Sequence, residues 1–472
     1  MKAEPEPACQ RATLAAPQPA ICQVESRQLV VYKFGAALGR KSARCIIVHM
    51  DYLPRTIDAQ LRWYIEGLPA VSVEGAKGVG KTATAQRLAT SIMDLDNEGY
   101  RSNVAADPTV IAGLTPPVLI DEWQLVPAVW DAVRREVDRD RTPGRFILTG
   151  SSTPSPTARL HSGAGRIIRL VMRPMTLPER GVVTPKVSLA SLLDGSRPSK
   201  IHPTDMKLAN YTSEIVASGL PGVRHDPPGH RSAQLDGYLD NALEHDIPEM
   251  GAGVRRPRAL RAWLTAYAAA TSTTANYTAI LNAATPGEVD KVSRQTAGVY
   301  RELLERLRLL EPLPAWLPAF SPLRRLGQAP KHHLVDPALA ARLLDTTEES
   351  LIHEGSAGPI PRQGSLLGAL FESLVVMTVR VFAAPTRARV FHLRTRNGEH
   401  EIDLIVERPD HRVLAIEVKL ASAVDPRDSK HLNWLERQIG DRLIDKVIIN
   451  TGPFAHRLPD GTAVVPLGLM GP

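Results

Sequence analysis

A chain of 472 residues suggests about three domains at about 150 residues each. Its 43% hydrophobic and 23% charged content is that of an ordinary globular protein, and no uninterrupted apolar run reaches the roughly 20 residues of a membrane helix, which argues against a spanning or inserting chain. The formal charge of +7 favours a polyanionic partner such as double-stranded DNA. No basic start followed by an apolar stretch and a small-residue cleavage site is present, so the expected location is the cytoplasm. The three cysteines, Cys9, Cys22 and Cys45, precede the first organised segment, so nothing downstream forms a disulfide or a thiolate zinc site.

Residues 1–49 mix Pro, Ala, Gln and Arg without a sustained period and are expected to be a disordered extension. From Tyr52 to Gly67, Ile57, Leu61 and Ile65 recur every four residues, which predicts a short amphipathic helix. The run Ala70–Thr82, AVSVEGAKGVGKT, then leads from a β-branched strand into a loop fitting G-x-x-x-x-G-K-[ST]. Gly75, Gly78 and Gly80 let backbone N–H groups approach crowded phosphate oxygens, with Lys77 and Val79 in the same loop; Lys81 is placed for the β- and γ-phosphates of ATP, and Thr82 for Mg²⁺. Ala85, Leu88, Ala89, Ile92 and Leu95 fall at helical spacing and predict one continuous helix after the loop.

Pro117–Glu122, PVLIDE, reads as a strand buried on both faces that ends in two acids. Asp121 is the candidate Mg²⁺ partner and Glu122 the candidate that polarises the attacking water. A helix carrying Trp130, Val133 and Val137 follows, then a buried strand Arg145–Thr149 ending in GSS. Thr149 and Ser151 are alternative candidates for sensing the γ-phosphate, and Arg166 and Arg169 are candidate arginine fingers toward a neighbouring subunit's nucleotide.

In the order YLPRTID, EGAKGVGKT, LIDEWQ, ILTGSS, AGR and RPMTLPE, residues 50 to the C-terminus resemble the prokaryotic AAA-type ATPases that carry a C-terminal domain of unknown function related to restriction endonucleases. The resemblance implies ATP and Mg²⁺ as ligands, leaves room for a homo-oligomer, and supplies no substrate. It implies an α/β fold: a P-loop NTPase domain of the AAA type with a parallel sheet at 50–185, a helical linker or lid at 186–256, a winged-helix-like module at 257–345 and a restriction-endonuclease-like domain at 346–472.

Within 257–345, helices are predicted around Leu260, Leu264 and Tyr267, over Thr278–Asn282, and over Ser293–Leu310 with Ser293 as N-cap, followed by a strand-like pair near Leu313 and His332–Val335. A DNA-facing surface would draw on Arg294, Arg301 and Arg306, with Arg324, Arg325 and Lys331 in the wing. His332 and His333 are not a metal pair, since neighbours on a strand face opposite ways.

Leu366–Phe382 predicts an apolar helix with Glu372 embedded in it, followed by strands Val390–Leu393, Glu401–Glu407 and Val413–Lys419. Asp403 opposes Ile402 and Leu404, while Glu417 and Lys419 share a face. Carboxylates and a lysine so placed suit metal-dependent phosphodiester hydrolysis, with Glu372, Asp403 and Glu417 on the metal and Lys419 on the water; the pattern resembles the restriction-endonuclease core. Gln438 is a further candidate. The expected function is a Mg-ATP-binding ATPase coupled to a DNA-associated, nuclease-like tail; the alternative is a nucleotide-controlled switch whose tail is inert.

Overall fold

A computed structural model describes residues 22–24, 27–29, 52–150, 163–197, 202–250, 257–284, 293–317, 329–354 and 365–472. The chain divides into two units, Met1–Tyr52 and Leu53–Pro472. In the first, β1 (Cys22–Val24) and β2 (Arg27–Leu29) pair antiparallel, with Cys22 opposite Leu29. The sequence predicted no regular structure there. The rest of the predicted disordered extension, with Ser151, Arg324 and Arg325 of the site candidates, lies outside the described residues.

The second unit opens with α1 (Thr56–Gly67), whose Ile57, Leu61 and Ile65 are buried as the four-residue spacing requires. It leads into β3 (Ala70–Glu74), buried at every position. A five-stranded sheet forms around β3 in the order β4-β5-β6-β3-β7, every pairing parallel. Its other strands are β4 (Ser91–Asp94), β5 (Val118–Asp121), β6 (Phe146–Gly150) and β7 (Ile168–Val171). Parallel strands buried on both faces read as unbroken apolar runs, which is why VLI and FIL were legible. Between them lie α2 (Lys81–Gln86), α3 (Glu98–Ala106) and α4 (Ala128–Arg139), the last burying Trp130, Val133 and Val137.

The helix predicted through Leu95 is corrected. α2 spans six residues, after which the Thr90 and Ser91 N–H groups both donate to the Pro117 carbonyl, at 2.8 and 3.2 Å. That contact starts β4 alongside β5, with Ser91 opposite Val118 and Asp94 opposite Asp121. Ile92, assigned to the apolar helix face, is 40% exposed on this edge strand, while Met93 and Leu95 are buried. An edge strand that buries alternate residues mimics part of a helical period over so short a run.

Helices then accumulate: α5 (Leu189–Leu193) beside the short β8 (Val187–Ser188), and after β9 (His202–Pro203), α6 (Leu208–Val216), α7 (Pro221–Arg224), α8 (Pro228–Asn241), a π-turn at Ala242–Asp246 and α9 (Ile247–Glu249). The helices predicted further on are present as α10 (Pro257–Ala269), α11 (Tyr277–Ala284) and α12 (Arg294–Arg306), with the Ser293 hydroxyl accepting from the Thr296 N–H. α13 (Pro337–Leu343) starts at the fully buried Asp336, whose carboxylate accepts from the Ser218 hydroxyl and the Gly219 and Ala338 N–H groups and so ties α13 to the end of α6. α14 (Glu348–Glu354) follows.

The predicted strand-like pair consists of antiparallel bridges, Leu310 with Leu334 and Leu313 with Lys331, and Ala315 continues it with a parallel bridge to His392. The C-terminal part comprises α15 (Leu366–Ala383), β10 (Arg389–Arg394), β11 (Glu401–Glu407), β12 (Val413–Val418), α16 (Lys430–Ile439), β13 (Leu443–Asn450), β14 (Phe454–Arg457), β15 (Ala463–Pro466) and β16 (Met470–Gly471). Its mixed sheet runs β10-β11-β12-β13-β15-β14-β9, and β16 pairs with β8. The sheet thus borrows β9 from the segment predicted as linker. One apolar core runs from Ile57 and Val73 through Trp263 and Tyr267 to Phe371 and Val465.

α15 is the apolar helix expected over Leu366–Phe382, with Glu372 embedded in it. With the following turn, Leu366–Thr386 is long and apolar enough to cross a membrane by length and composition, and 67% of its most apolar window is buried inside the protein. Glu372 and Arg380 interrupt the run, so a search for unbroken apolar sequence passed over it.

Candidate functional site

The loop after β3 takes its shape from its glycines. Gly78 and Gly80 sit at φ +74° and +100°, a region that L side chains avoid. A Cβ on Gly75 would meet the Met172 carbonyl oxygen at 2.3 Å, so only glycine lets the loop start so close to the end of β7. The Lys81 ammonium lies buried beneath the loop and donates to the Gly75 and Ala76 carbonyls at 3.0 and 2.9 Å. Burial pushes its pKa down to about 8, partly offset by the nearby Glu122 and Asp121 carboxylates. With only six residues in α2, anion recognition rests mainly on loop amides and this ammonium rather than on a long helix dipole.

The parallel register brings the ends of β5 and β6 beside the loop. Asp121 Oδ1 accepts from the Thr82 hydroxyl at 3.1 Å, from its neighbour Glu122 N–H at 3.2 Å, and from the Thr149 hydroxyl. Thr82, Asp121 and Thr149, predicted from three separate segments, therefore meet at one carboxylate oxygen. Glu122 adopts left-handed backbone, φ 51° and ψ 42°, a conformation that costs a non-glycine residue about 1–2 kcal/mol. Its carboxylate accepts from the Gln124 amide. Gly150 closes this corner: a Cβ there would come within 2.5 Å of Gln124 Oε1. A hydroxyl and a carboxylate side by side below a glycine cradle are a donor set suited to Mg²⁺ carried by a nucleotide.

Three residues that sequence reasoning did not assign complete the loop's surroundings. Arg55, just ahead of α1, donates to the Val79 carbonyl at 2.7 Å and the Arg173 carbonyl at 2.6 Å. Asp246 in the π-turn holds the Lys77 ammonium at 2.6 Å, and the Tyr238 hydroxyl donates to the Lys77 carbonyl at 3.2 Å. No local pattern marks these partners, since Asp246 lies 169 residues from Lys77.

Neither arginine-finger candidate reaches the loop's lysine or threonine through any contact among the described residues. Arg166 is committed to Asp138 of α4 at 2.6 Å. Arg169 pairs with Glu74 at 3.3 Å and lies over the Trp130 ring.

The second constellation is assembled, with an added member. Glu372 from α15, Asp403 from β11 and Glu417 from β12 converge, and Lys419 approaches Glu417 at 3.7 Å. In their midst stands the Lys331 ammonium, 1% exposed, at 3.0 Å from Glu372, 3.0 Å from Glu401 and 2.8 Å from Asp403. The other Asp403 oxygen accepts from the Val418 N–H at 2.9 Å. Both oxygens of the central aspartate are thereby engaged.

Among the described residues no group of three or more His, Cys, Asp or Glu side chains is arranged to hold a metal ion. The expected metal role of Glu372, Asp403 and Glu417 is corrected accordingly: the donors do not fit a metal while Lys331 fills the space between them. Lys331 is equally removed from the DNA-facing wing, being fully buried. Of the other candidate phosphate contacts, Arg301 lies over the Tyr277 ring and pairs with Glu305, while Arg294 is exposed. Gln438 is exposed on α16. His332 and His333 are both buried, and burial drives the His333 pKa well down, keeping it neutral.

Comparison with known proteins bears on the first of these sites. Residues 68–180 match a family described as an AAA domain. The chain carries a P-loop domain of the AAA type. Residues 208–350 match one domain of unknown function (DUF8612), spanning the predicted linker and winged-helix segments together, and residues 367–470 match another (DUF4143). Uncharacterised proteins of Mycobacterium tuberculosis and Mycobacterium bovis are each 24% identical over 419 residues, covering 87% of this chain and 82% of theirs. A Walker-type ATPase of Pyrococcus abyssi, 15% identical, covers 62% of this chain and 99% of its own with a TM-score of 0.36, a likeness too weak to argue from.

Proposed function

We propose that this AAA-type domain binds Mg-ATP on the 75–82 loop and hydrolyses it. Support comes chiefly from one observation, the meeting of the Thr82 and Thr149 hydroxyls on Asp121 Oδ1 beside a buried, desolvated Lys81. Lys81 binds the β- and γ-phosphates, which draw its ammonium off the loop carbonyls. Thr82 and Asp121 would hold Mg²⁺, which supplies charge neutralisation on the phosphates when bound. Thr149 fixes the Asp121 carboxylate, and Glu122, aimed by its left-handed backbone and Gln124, orients and deprotonates water. Arg166 can act on a neighbouring copy's nucleotide only after leaving Asp138.

Turnover by the purified chain tests the proposal. Lys81→Ala should abolish it, and Glu122→Gln should bind ATP while slowing hydrolysis by about 100-fold or more. A Glu122→Gln chain that hydrolyses at the wild-type rate would remove that residue from the chemistry.

For the coupled process, the Lys331 ammonium among the C-terminal carboxylates favours a nucleotide-controlled switch over a DNA-cutting tail. Mg²⁺-dependent cleavage of double-stranded DNA by the full chain, lost in Asp403→Ala, would restore the nuclease reading.

A further inference from the structure

Six arginines, Arg169, Arg173, Arg308, Arg380, Arg387 and Arg389, line one groove of about 800 Å³. It lies between α1, the end of β7, the segment after α12, the end of α15 and the start of β10. Arg169 and Arg308 share Glu74, Arg173 and Arg380 share Glu311, and Arg389 takes Glu407. Arg387 forms no ion pair among the described residues, and it is exposed on left-handed backbone at φ 57°. Glu305, the other acid on the groove, is paired with Arg301 at 3.7 Å. Six guanidinium groups against three shared carboxylates leave an excess of three positive charges.

We infer that this groove receives an acidic, extended peptide segment of a partner protein, and that its occupancy opposes Mg-ATP on the 75–82 loop. Guanidinium forks pair with carboxylates through two parallel hydrogen bonds, and a groove whose cations are arginines without a lysine suits that geometry. Two strand edges border it: β7 ends the P-loop sheet and β10 ends the C-terminal sheet. β10 already accepts an extended segment at His392, where the Trp316 N–H donates to the His392 carbonyl at 2.7 Å and the His392 N–H donates to the Pro314 carbonyl at 3.0 Å. Next to that bridge, Arg389–Phe391 has a strand on its β11 side alone among the described residues, and an added peptide bonds to such an edge through its main chain. Alternate residues of an extended peptide fall on one face about 7 Å apart, so acids at every second position meet the arginines together. A nucleic-acid strand is the less suited polyanion, because base stacking needs a free aromatic face. Of the groove's two aromatic rings, Phe391 lies under the Arg389 guanidinium and Tyr64 packs edge-on with Trp63.

The groove reaches the nucleotide loop at both of its ends. Glu74, which holds Arg169 and Arg308, immediately precedes Gly75. The Arg173 carbonyl accepts from Arg55, which also donates to the Val79 carbonyl. Peptide carboxylates that draw Arg169 and Arg308 away from Glu74 leave its charge uncompensated beside the phosphates, so peptide and Mg-ATP weaken one another by the same factor.

Opposition to ATP rests on the reading of the 75–82 loop as the nucleotide site, whereas peptide capture does not. The test is fluorescence anisotropy of a labelled peptide of alternating glutamate and threonine, titrated with the full chain. Without nucleotide the wild type should bind it, more weakly as salt rises, and should not bind the same peptide with glutamine for glutamate. Arg387→Glu should weaken capture about tenfold or more and leave ATP turnover unchanged, and Arg387→Lys should keep most of the affinity. Arg294→Glu, exposed on α12 outside the groove, should bind as the wild type does. Saturating Mg-ATP should weaken capture about fivefold or more in the wild type and leave it unchanged in Lys81→Ala. Equal loss in Arg387→Glu and Arg294→Glu, no loss in either, or Arg387-dependent capture of oligothymidylate tighter than that of the peptide overturns the inference. Capture that Mg-ATP leaves unchanged, in a chain shown by calorimetry to bind ATP, overturns the opposition. Peptide capture with no ATP binding defeats the nucleotide reading, and the opposition with it, and leaves the groove assignment standing.

Discussion

Lys81 is a charge kept in a dry place for a ligand that needs it. Desolvation lowers its pKa to about 8 in the free protein, whereas bound phosphates favour the ammonium. Above that pH a growing share of the loop is neutral and must take up a proton when ATP binds. Affinity should therefore fall as pH rises through 8, approaching about tenfold per unit. Calorimetry of ATP binding at pH 9 in two buffers of different ionisation enthalpy should reveal proton uptake that shrinks toward pH 7. Gly150 offers a second check at this scale, because a Cβ there strikes Gln124, the residue bonded to Glu122. Gly150→Ala should slow steady-state hydrolysis more than it weakens ATP binding, and equal effects on both would contradict Glu122 as the water-orienting group.

Between elements, the loop is linked to parts of the chain that sequence reading left unassigned. The Lys77–Asp246 pair and the Tyr238 hydroxyl connect it to the π-turn and α8. Glu74, the last residue of β3, is paired with Arg308 beyond α12. Glu311 holds both Arg173 after β7 and Arg380 of α15. Asp246→Ala removes one carboxylate partner of Lys77 and a negative charge near the phosphates, so ATP affinity should rise by roughly two- to fivefold, the worth of one partly exposed ion pair. Filter binding of labelled nucleotide would measure it, and a weaker affinity would show that the pair orders the loop instead.

Legibility in the sequence followed the same division. Gly75 to Thr82, the VLID and FILT strands and the α4 stripe were readable because the residues that define each are neighbours. The end of α2 was missed because Pro117, whose carbonyl starts β4, is distant in sequence. Lys331 was misplaced on a DNA-facing wing because its partners Glu372 and Asp403 lie 41 and 72 residues away.

Within Leu53–Pro472, one extended apolar core, the β9 and β8 pairings and the Lys331 cluster join the P-loop domain, the helices and the C-terminal sheet, with two smaller apolar clusters beside it. Breaking a buried charge cluster by removing one partner costs about 3–5 kcal/mol, so Lys331→Met should lower the melting temperature of the entire chain in one transition. Two separate transitions would contradict the common core. The proposed activity of the whole chain depends on the 75–82 loop as an ATP site. Titration of Mg-ATP into wild-type and Lys81→Ala chains by calorimetry tests it most directly: saturable heat at one site per chain in the wild type and none in the variant is the predicted result, and equal binding by both, or no heat in either, would contradict it.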